Sequence, residues 1–206
     1  RLPDKPLVER SRNIDLEKFI VPLRNQQQQV EAWCLAVPFL RPSDVPRVDN
    51  AEDAYLEGIS ALYQQVTALA RAKKSPQQAL IAMGHCHIVG GQISQDSERK
   101  LVMGGVEMLS SRIFSDDTAY VALGHLHFAQ AVGGEHIRYS GSPLPMSFSE
   151  VNYPHQVVMV EIHHGQLQTM TPLLVPRSVP LQRIPSQPQA IEHVLTLLAA
   201  QDWPSS

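Results

Sequence analysis

Apolar runs of strand length recur along the 206-residue chain, each closed by polar residues, glycine or proline. The runs at 30–37 (VEAWCLAV), 79–83 (ALIAM) and 119–123 (AYVAL) are continuous, as in strands that are buried on both faces. Residues 156–163 instead alternate apolar and polar positions, which is typical of a strand with one buried face. The pattern predicts these four strands and a shorter one near 19–21.

One segment has helical rather than strand periodicity. Between Asn50 and Lys74, apolar residues recur every three or four positions, at Tyr55, Ile59, Leu62, Val66 and Leu69. This spacing predicts an amphipathic helix. Asn50 is a suitable N-cap, and the basic residues near Lys74 suit the negative end of the helix dipole. Because predicted strands precede and follow this helix, the pattern indicates an α/β core with layered α+β character.

Two further strands are expected from local signals. A Gly-Gln turn at 165–166 predicts a hairpin into a strand at 167–170, so the core should end in an antiparallel pair. Residues 100–108 are expected to form an irregular strand, which Gly104 and Gly105 interrupt.

A proline-rich segment separates the predicted core from the last residues of the chain. Five prolines fall within residues 172–188, a density far above the usual ~5%. This stretch should therefore run extended over a surface. Residues 190–200 have the apolar spacing of a short amphipathic helix. We assign residues 1–171 to the main domain, and residues 172–206 to a Pro-rich connection and the first helix of a second domain.

Composition and charge exclude several classes of protein. The formal net charge is −3, so the chain has no excess of basic residues with which to grip nucleic acid by phosphate neutralisation alone. No run approaches eighteen consecutive apolar residues, which argues against a membrane span. The two cysteines, Cys34 and Cys86, are too few for a disulfide scaffold and fit a reducing compartment. A cytoplasmic location is expected.

Two of the predicted strands end in the same motif. Residues 80–87 (LIAMGHCH) and 120–127 (YVALGHLH) each run from an apolar strand into Gly-His-x-His. A glycine at the carboxyl end of a buried strand allows a sharp turn, and ligands of open α/β sheets bind at that edge. Two neighbouring strands that end this way would bring up to four imidazoles together. The duplicated motif therefore predicts a metal site.

The residues around the two motifs are acidic overall. Residues 84–150 contain five of the nine histidines, with four basic and seven acidic residues. A phosphate-handling site in such a segment requires divalent cations that reverse the local field. Cys86 lies between two histidines, but in an extended segment its thiol points away from them, which favours a packing role. Three later histidines have no partner motif: His155 is expected in a loop, and His163 and His164 are expected to face solvent.

Four segments taken together resemble one known family: AVPFLRPSDV at 36–45, MGHCHIVGG at 83–91, YVALGHLHFAQ at 120–130 and RYSGSPLPMSFSE at 138–150. Their order and spacing are similar to those of the SbcD-type nuclease subunits of bacteria, which are calcineurin-like metallophosphoesterases. The resemblance spans roughly residues 30–200. It implies part of a two-sheet β-sandwich flanked by helices, and it makes the second domain the start of a cap domain.

The resemblance also implies a two-metal site and some of the residues that hold it. His85 matches the ligand of the family's fourth motif, while His125 and His127 match the paired ligands of the fifth. By this match His125 shares one metal with His85, and His127 binds the other metal. His87 has no counterpart among the family's ligands. The resemblance implies two Mn²⁺ ions, with Mg²⁺ or Zn²⁺ as alternatives.

The upstream ligand motifs of that family do not occur in this sequence. They are an Asp-x-His, a Gly-Asp and a Gly-Asn-His-Asp, and no aspartate here is followed two residues later by histidine. Three ligands cannot hold two hydrolytic metals. We therefore expect the chain to be the central part of a longer protein and to have little or no nuclease activity of its own.

The function implied by the resemblance is hydrolysis of DNA phosphodiesters in DNA repair. The complete protein is expected to act as a double-strand exonuclease and single-strand endonuclease beside an SbcC-like ATPase, without a membrane partner, and a homodimer is compatible with this role. Two other hypotheses stay open. One is a non-catalytic module in which His85, Cys86, His125 and His127 hold structural zinc. The other is a scaffold that docks the partner ATPase through the helix at 190–200.

Overall fold

The computed structural model describes residues 14–46, 48–93, 108–179 and 181–201. Its strands are β1 (Ile20–Arg24), β2 (Val30–Ala36), β3 (Ala79–His85), β4 (Tyr120–Gly124), β5 (Gln130–Ala131), β6 (Ile137–Tyr139), β7 (Gln156–His163) and β8 (Gln166–Leu174). Its helices are α1 (Ala54–Lys73) and α2 (Ile191–Ala199). Residues 100–107 of the irregular strand predicted at 100–108 lie outside the described residues.

Six of these strands form one mixed sheet, in the order β1-β2-β3-β4-β6-β5. The central strands β2, β3, β4 and β6 run parallel, while β1 and β5 pair antiparallel at the two ends of the sheet. The strands β7 and β8 pair antiparallel as a separate hairpin. Because β3 and β4 are parallel neighbours, their carboxyl ends meet, and His85 pairs in register with Gly124. The predicted α/β fold class with layered α+β character is confirmed.

The core lies between α1 and the central strands. On α1, Leu62 and Val66 are fully buried, and they belong to one apolar cluster with Leu35 of β2, Leu80 of β3 and Val121 of β4. Burying each such side chain stabilises the fold by ~1.5–3 kcal/mol. This packing fixes the relative positions of the three strands, and with them the edge at which β3 and β4 end.

The predicted helix is confirmed, but the expectation that Asn50 caps it is wrong. The helix begins at Ala54, and its N-cap is Asp53. Oδ1 of Asp53 accepts hydrogen bonds from the backbone N–H groups of Tyr55 (3.0 Å) and Leu56 (3.1 Å). Asn50 lies earlier, in a turn with φ of 58°. A carboxylate at this position both satisfies the first N–H groups and complements the positive end of the helix dipole.

Replacing Asp53 with alanine should lower the free energy of unfolding by about 1 kcal/mol, because the first turn of α1 loses the acceptor for two N–H groups. Urea unfolding followed by circular dichroism measures the change. The Asp53→Asn variant keeps an oxygen acceptor and should stay within a few tenths of a kcal/mol of the wild type. Equal losses in the two variants would contradict this assignment of the cap.

The C-terminal hairpin and helix also form as predicted, with one difference. The turn between β7 and β8 places His164 and Gly165 at φ of 49° and 78°. However, β8 continues through Pro172 to Leu174, so the extended proline-rich stretch begins after the strand rather than at residue 172. Proline is tolerated here because β8 pairs on one side only within the described hairpin. Among the described residues, no helix is long and apolar enough to span a membrane.

Candidate metal centre

Two glycines let the carboxyl ends of β3 and β4 approach each other closely. A Cβ atom on Gly124 would lie 2.9 Å from Nδ1 of His85, so only glycine leaves room for that ring beside β4. A Cβ atom on Gly84 would lie 2.5 Å from Oη of Tyr63. The glycine of each Gly-His-x-His motif is therefore a packing requirement, since a larger residue would displace a neighbouring side chain.

The structure brings together histidines from both motifs. The ring centroids of His85 and His125 are 5.3 Å apart, with planes at 69°. The ring centroids of His87 and His125 are 6.4 Å apart, and Nε2 of His87 is buried without a hydrogen-bond partner. The edge of Phe39 packs against His85 at 5.7 Å. The two strand ends thus place the ring of His125 near those of both His85 and His87, with Phe39 as an aromatic wall beside His85.

His125 has a strained backbone. Its φ is 101°, in a region that L-residues other than glycine rarely adopt. Such conformations cost about 1–3 kcal/mol and are found disproportionately at functional sites. With this conformation the backbone leaves the strand direction immediately after Gly124. The ring of His125 therefore lies against His85.

His127 is held from behind by a buried carboxylate. Its Nδ1 lies 2.7 Å from Oε1 of Glu150, which has no exposed surface. Glu150 ends a single 3₁₀ turn, Phe148–Glu150, at the close of the segment that follows β6. Sequence reasoning missed Glu150, although it is the last residue of the RYSGSPLPMSFSE motif.

His155 lies in a loop, as predicted, directly before β7, but it also has a role that sequence reasoning missed. It is only 3% exposed. Its ring bridges two backbone carbonyls, with Nδ1 2.9 Å from the oxygen of Ser142 and Nε2 3.2 Å from that of Glu150. The ring therefore ties the two ends of this segment together. His163 and His164, by contrast, are exposed on the hairpin as predicted.

Two buried tyrosines fix the backbone around His85. Oη of Tyr63 donates to the carbonyl of Met83 at 2.8 Å. Oη of Tyr139 donates to the carbonyl of Cys86 at 2.6 Å and accepts from the N–H of Ile88 at 2.9 Å. Carbonyl and N–H groups that leave the strand ladder are satisfied in this way rather than left unpaired.

The electrostatic environment favours the uncharged forms of His85 and His125. Burial lowers the pKa of His125 to about 4, with further lowering by the positive charges that His85, His87 and His127 would carry. Burial, and then the charge of His127, also lower the pKa of His85. Imidazole binds a metal only in its neutral form, so a lowered pKa suits a ligand. Burial raises the pKa of the Cys86 thiol to about 12, so Cys86 is a neutral thiol at pH 7.

The free energy of unfolding of the metal-free protein should fall as the pH drops from about 6.5 towards about 4. In this window the unfolded chain protonates His125 and the folded chain does not, so acid favours unfolding. Asp117 also makes acid destabilising, but in a lower pH range. Its hydrogen bond with Arg71 lowers the pKa of its carboxyl group from 3.8 to about 2.

Urea unfolding at several pH values in EDTA measures this effect. The His125→Gln variant should lose less stability than the wild type between pH 6.5 and 4. The His163→Gln variant changes an exposed histidine and should behave as the wild type. An identical pH dependence in the His125→Gln variant and the wild type would contradict the assignment.

The donors at this edge have the right chemistry for a divalent metal but are too few. Neutral imidazoles suit Mn²⁺, Zn²⁺ and related ions. Within the described ranges, however, no group of three or more His, Cys, Asp or Glu side chains is arranged to hold a metal ion. The described residues thus fit part of a metal site, which needs further ligands. Ligation by His85, His125 and His127 stays a prediction.

Comparison with curated proteins finds relatives that match most of this sequence. The chain is 37% identical over 200 residues to the SbcD subunit of the nuclease SbcCD from Rhodobacter capsulatus, a match that covers 93% of the chain and 49% of the relative. It is 35% identical over 153 residues to the protein of the same name from Escherichia coli K12, covering 70% of the chain and 38% of that relative. No family model matches the chain.

The fold is of the layered α+β, metallophosphoesterase-like class, and these relatives are nuclease subunits by name. The chain belongs to the family of SbcD-type nuclease subunits, which confirms the resemblance found in its motifs. It spans about half the length of the Rhodobacter relative and less of the Escherichia one.

Proposed function

We propose that this chain supplies the histidine side of the active site in a metal-dependent DNA phosphodiesterase of DNA repair. The observation that supports this most directly is the meeting of His85 and His125 at the ends of two parallel strands, 5.3 Å between ring centroids. His127, two residues further along and backed by a buried carboxylate, adds a third imidazole of defined orientation.

The proposed site contains two Mn²⁺ ions, with Mg²⁺ or Zn²⁺ as alternatives. His85 and His125 would bind one ion, and His127 would bind the other. When bound, such ions orient a phosphodiester and stabilise the charge that develops on its oxygens. The chain's own contribution is to favour the neutral forms of His85 and His125 by burial, and to fix their backbones by Gly124 and the strained turn at His125.

The substrate and partner are proposed from the family. The relatives are named as SbcD components of the nuclease SbcCD. We propose duplex DNA ends as the exonuclease substrate, single-stranded DNA as the endonuclease substrate, an SbcC-like ATPase as the partner and the cytoplasm as the location. With a net charge of −3, this chain does not provide an excess of basic residues for DNA, so the proposed metal ions or the partner must provide positive charge.

A structural zinc site is the weaker alternative. Zinc would require the Cys86 thiolate, yet burial raises the pKa of this thiol to about 12. Cys86 also packs against the apolar core cluster. A docking role for α2 can coexist with catalysis, since Ile191 and Leu195 on that helix are 62% and 58% exposed.

The test uses the complete purified protein with linear duplex DNA. We expect degradation in Mn²⁺ that stops on addition of EDTA, and tightly bound stoichiometric zinc should be absent. The 206-residue chain alone should show little or no cleavage under the same conditions, because its histidines are too few for two metals. Metal-independent degradation by the complete protein, or robust cleavage by the chain alone, would overturn the proposal.

A further inference from the structure

Glu150 stands out among the acidic side chains because it is wholly buried while pairing with a histidine of the candidate site. Its relative exposure is 0%, and that of the His127 side chain is 20%. The two residues are separated by 23 positions in sequence, so their 2.7 Å contact is made by the tertiary fold. A buried carboxylate is costly unless donors compensate it, so its position calls for a physical reason.

Every described donor around this carboxylate suits an ionised group. Nδ1 of His127 faces Oε1 at 2.7 Å. The backbone N–H of Met146 donates to Oε2 at 2.8 Å, and Oγ of Ser142 lies 3.5 Å from the same oxygen. An ionised carboxylate only accepts hydrogen bonds. Beside an ionised Glu150, a neutral His127 ring donates from Nδ1, which leaves the lone pair on Nε2.

The segment that carries Glu150 is itself fixed at several points. The ring of His155 bridges the carbonyls of Ser142 and Glu150. The N–H of Ser142 donates to the carbonyl of His127 at 3.0 Å, so the segment is tied directly to the backbone that carries the histidine. Glu150 is consequently held in one place relative to His127, and its contact does not depend on a mobile side chain.

We propose that Glu150 is a positioning residue that selects the Nδ1–H tautomer of His127 and fixes the direction of its Nε2 lone pair. This inference rests on the proposed function, because the lone pair is directed for a metal ion. Hydrogen-bond partners behind a ligating histidine typically change metal affinity by 10–100-fold when they are removed. The effect of Glu150 should therefore appear in metal binding as well as in stability.

The first experiment needs no metal. Long-range ¹H–¹⁵N NMR of the metal-free complete protein reports which ring nitrogen of His127 is protonated. We expect the Nδ1–H form in the wild type. In the Glu150→Gln variant, the amide oxygen can accept the hydrogen bond from the N–H of Met146. The amide NH₂ group then faces Nδ1 of His127 and donates to it, which favours the Nε2–H form of the ring. A predominant Nε2–H form in the wild type would overturn the proposal.

The second experiment measures Mn²⁺ binding by calorimetry in the complete protein. Glu150→Gln should weaken binding by about 10–100-fold, whereas Glu135→Gln, which removes the same charge from an exposed position, should change it by less than about threefold. Unchanged Mn²⁺ affinity in a folded Glu150→Gln variant would refute the positioning role. If instead the wild type binds Mn²⁺ but does not degrade DNA, the proposed function fails, and the positioning role is still judged by tautomer and affinity.

Discussion

Replacing His125 with glycine in the complete protein should abolish Mn²⁺-dependent degradation of linear duplex DNA while leaving the fold about as stable as before. Activity is lost because His125 is a proposed ligand of the metal ion that His85 also binds. The loss of activity should exceed the ~10–100-fold loss that is typical when a hydrogen-bond partner of a ligand is removed. Stability is retained because glycine adopts the φ of 101° without strain. The relief of ~1–3 kcal/mol offsets the lost ring contacts and the greater freedom of glycine in the unfolded chain.

The His125→Ala variant separates the two effects. It should be equally inactive but less stable than His125→Gly, because both variants lose the ring contacts but only alanine retains the backbone strain. Nuclease assays with labelled duplex and urea unfolding of each variant provide the measurements. His163→Ala is the matched control, since it removes an exposed histidine far along the chain, on the hairpin. Activity like that of the wild type in either His125 variant would end the assignment.

The parts of the fold set by apolar patterning could be predicted from the sequence. The runs that became β2, β3 and β4 were recognisable because apolar residues fill most positions of each run, although one face of β3 is only partly buried and Met83 is 47% exposed. The short strand β6 was missed because three residues carry no usable period. The helix start was misplaced since Asn50 and Asp53 are both good caps, and only the turn geometry distinguishes them.

The candidate site was predictable only in part, for a related reason. The Gly-His-x-His repeats are local signals, so His85 and His125 could be paired once their strands were expected to be neighbours. The contacts of Glu150 and His155 depend on a segment that folds back onto residue 127, and no periodicity encodes such a return. Their types were uninformative as well, since buried glutamates are rare and a lone histidine is more often a surface residue.

Replacing Gly141 with alanine should therefore disrupt the site without changing any proposed ligand. The substitution acts on the segment that packs back against the backbone of residues 127–129. Gly141 has φ of 81°, and a Cβ atom there would lie 2.7 Å from the carbonyl oxygen of His127 and 2.9 Å from the N of Ala129. Backbone strain of ~1–2 kcal/mol and overpacking of ~1–3 kcal/mol add, so we expect the free energy of unfolding to fall by at least about 2 kcal/mol. Urea unfolding measures this loss.

Gly90 provides the control for Gly141. It has a similar φ of 90°, but a Cβ atom there would meet nothing within 4 Å. Gly90→Ala therefore has the conformational cost alone, about 1 kcal/mol, and the difference between the two variants isolates the close approach to His127. Because that approach holds Glu150 against the ring, Gly141→Ala should also weaken Mn²⁺ binding, whereas Gly90→Ala should not. Equal destabilisation by the two substitutions would show that the segment can move away from residues 127–129 at little cost, and that the positioning of His127 does not depend on it.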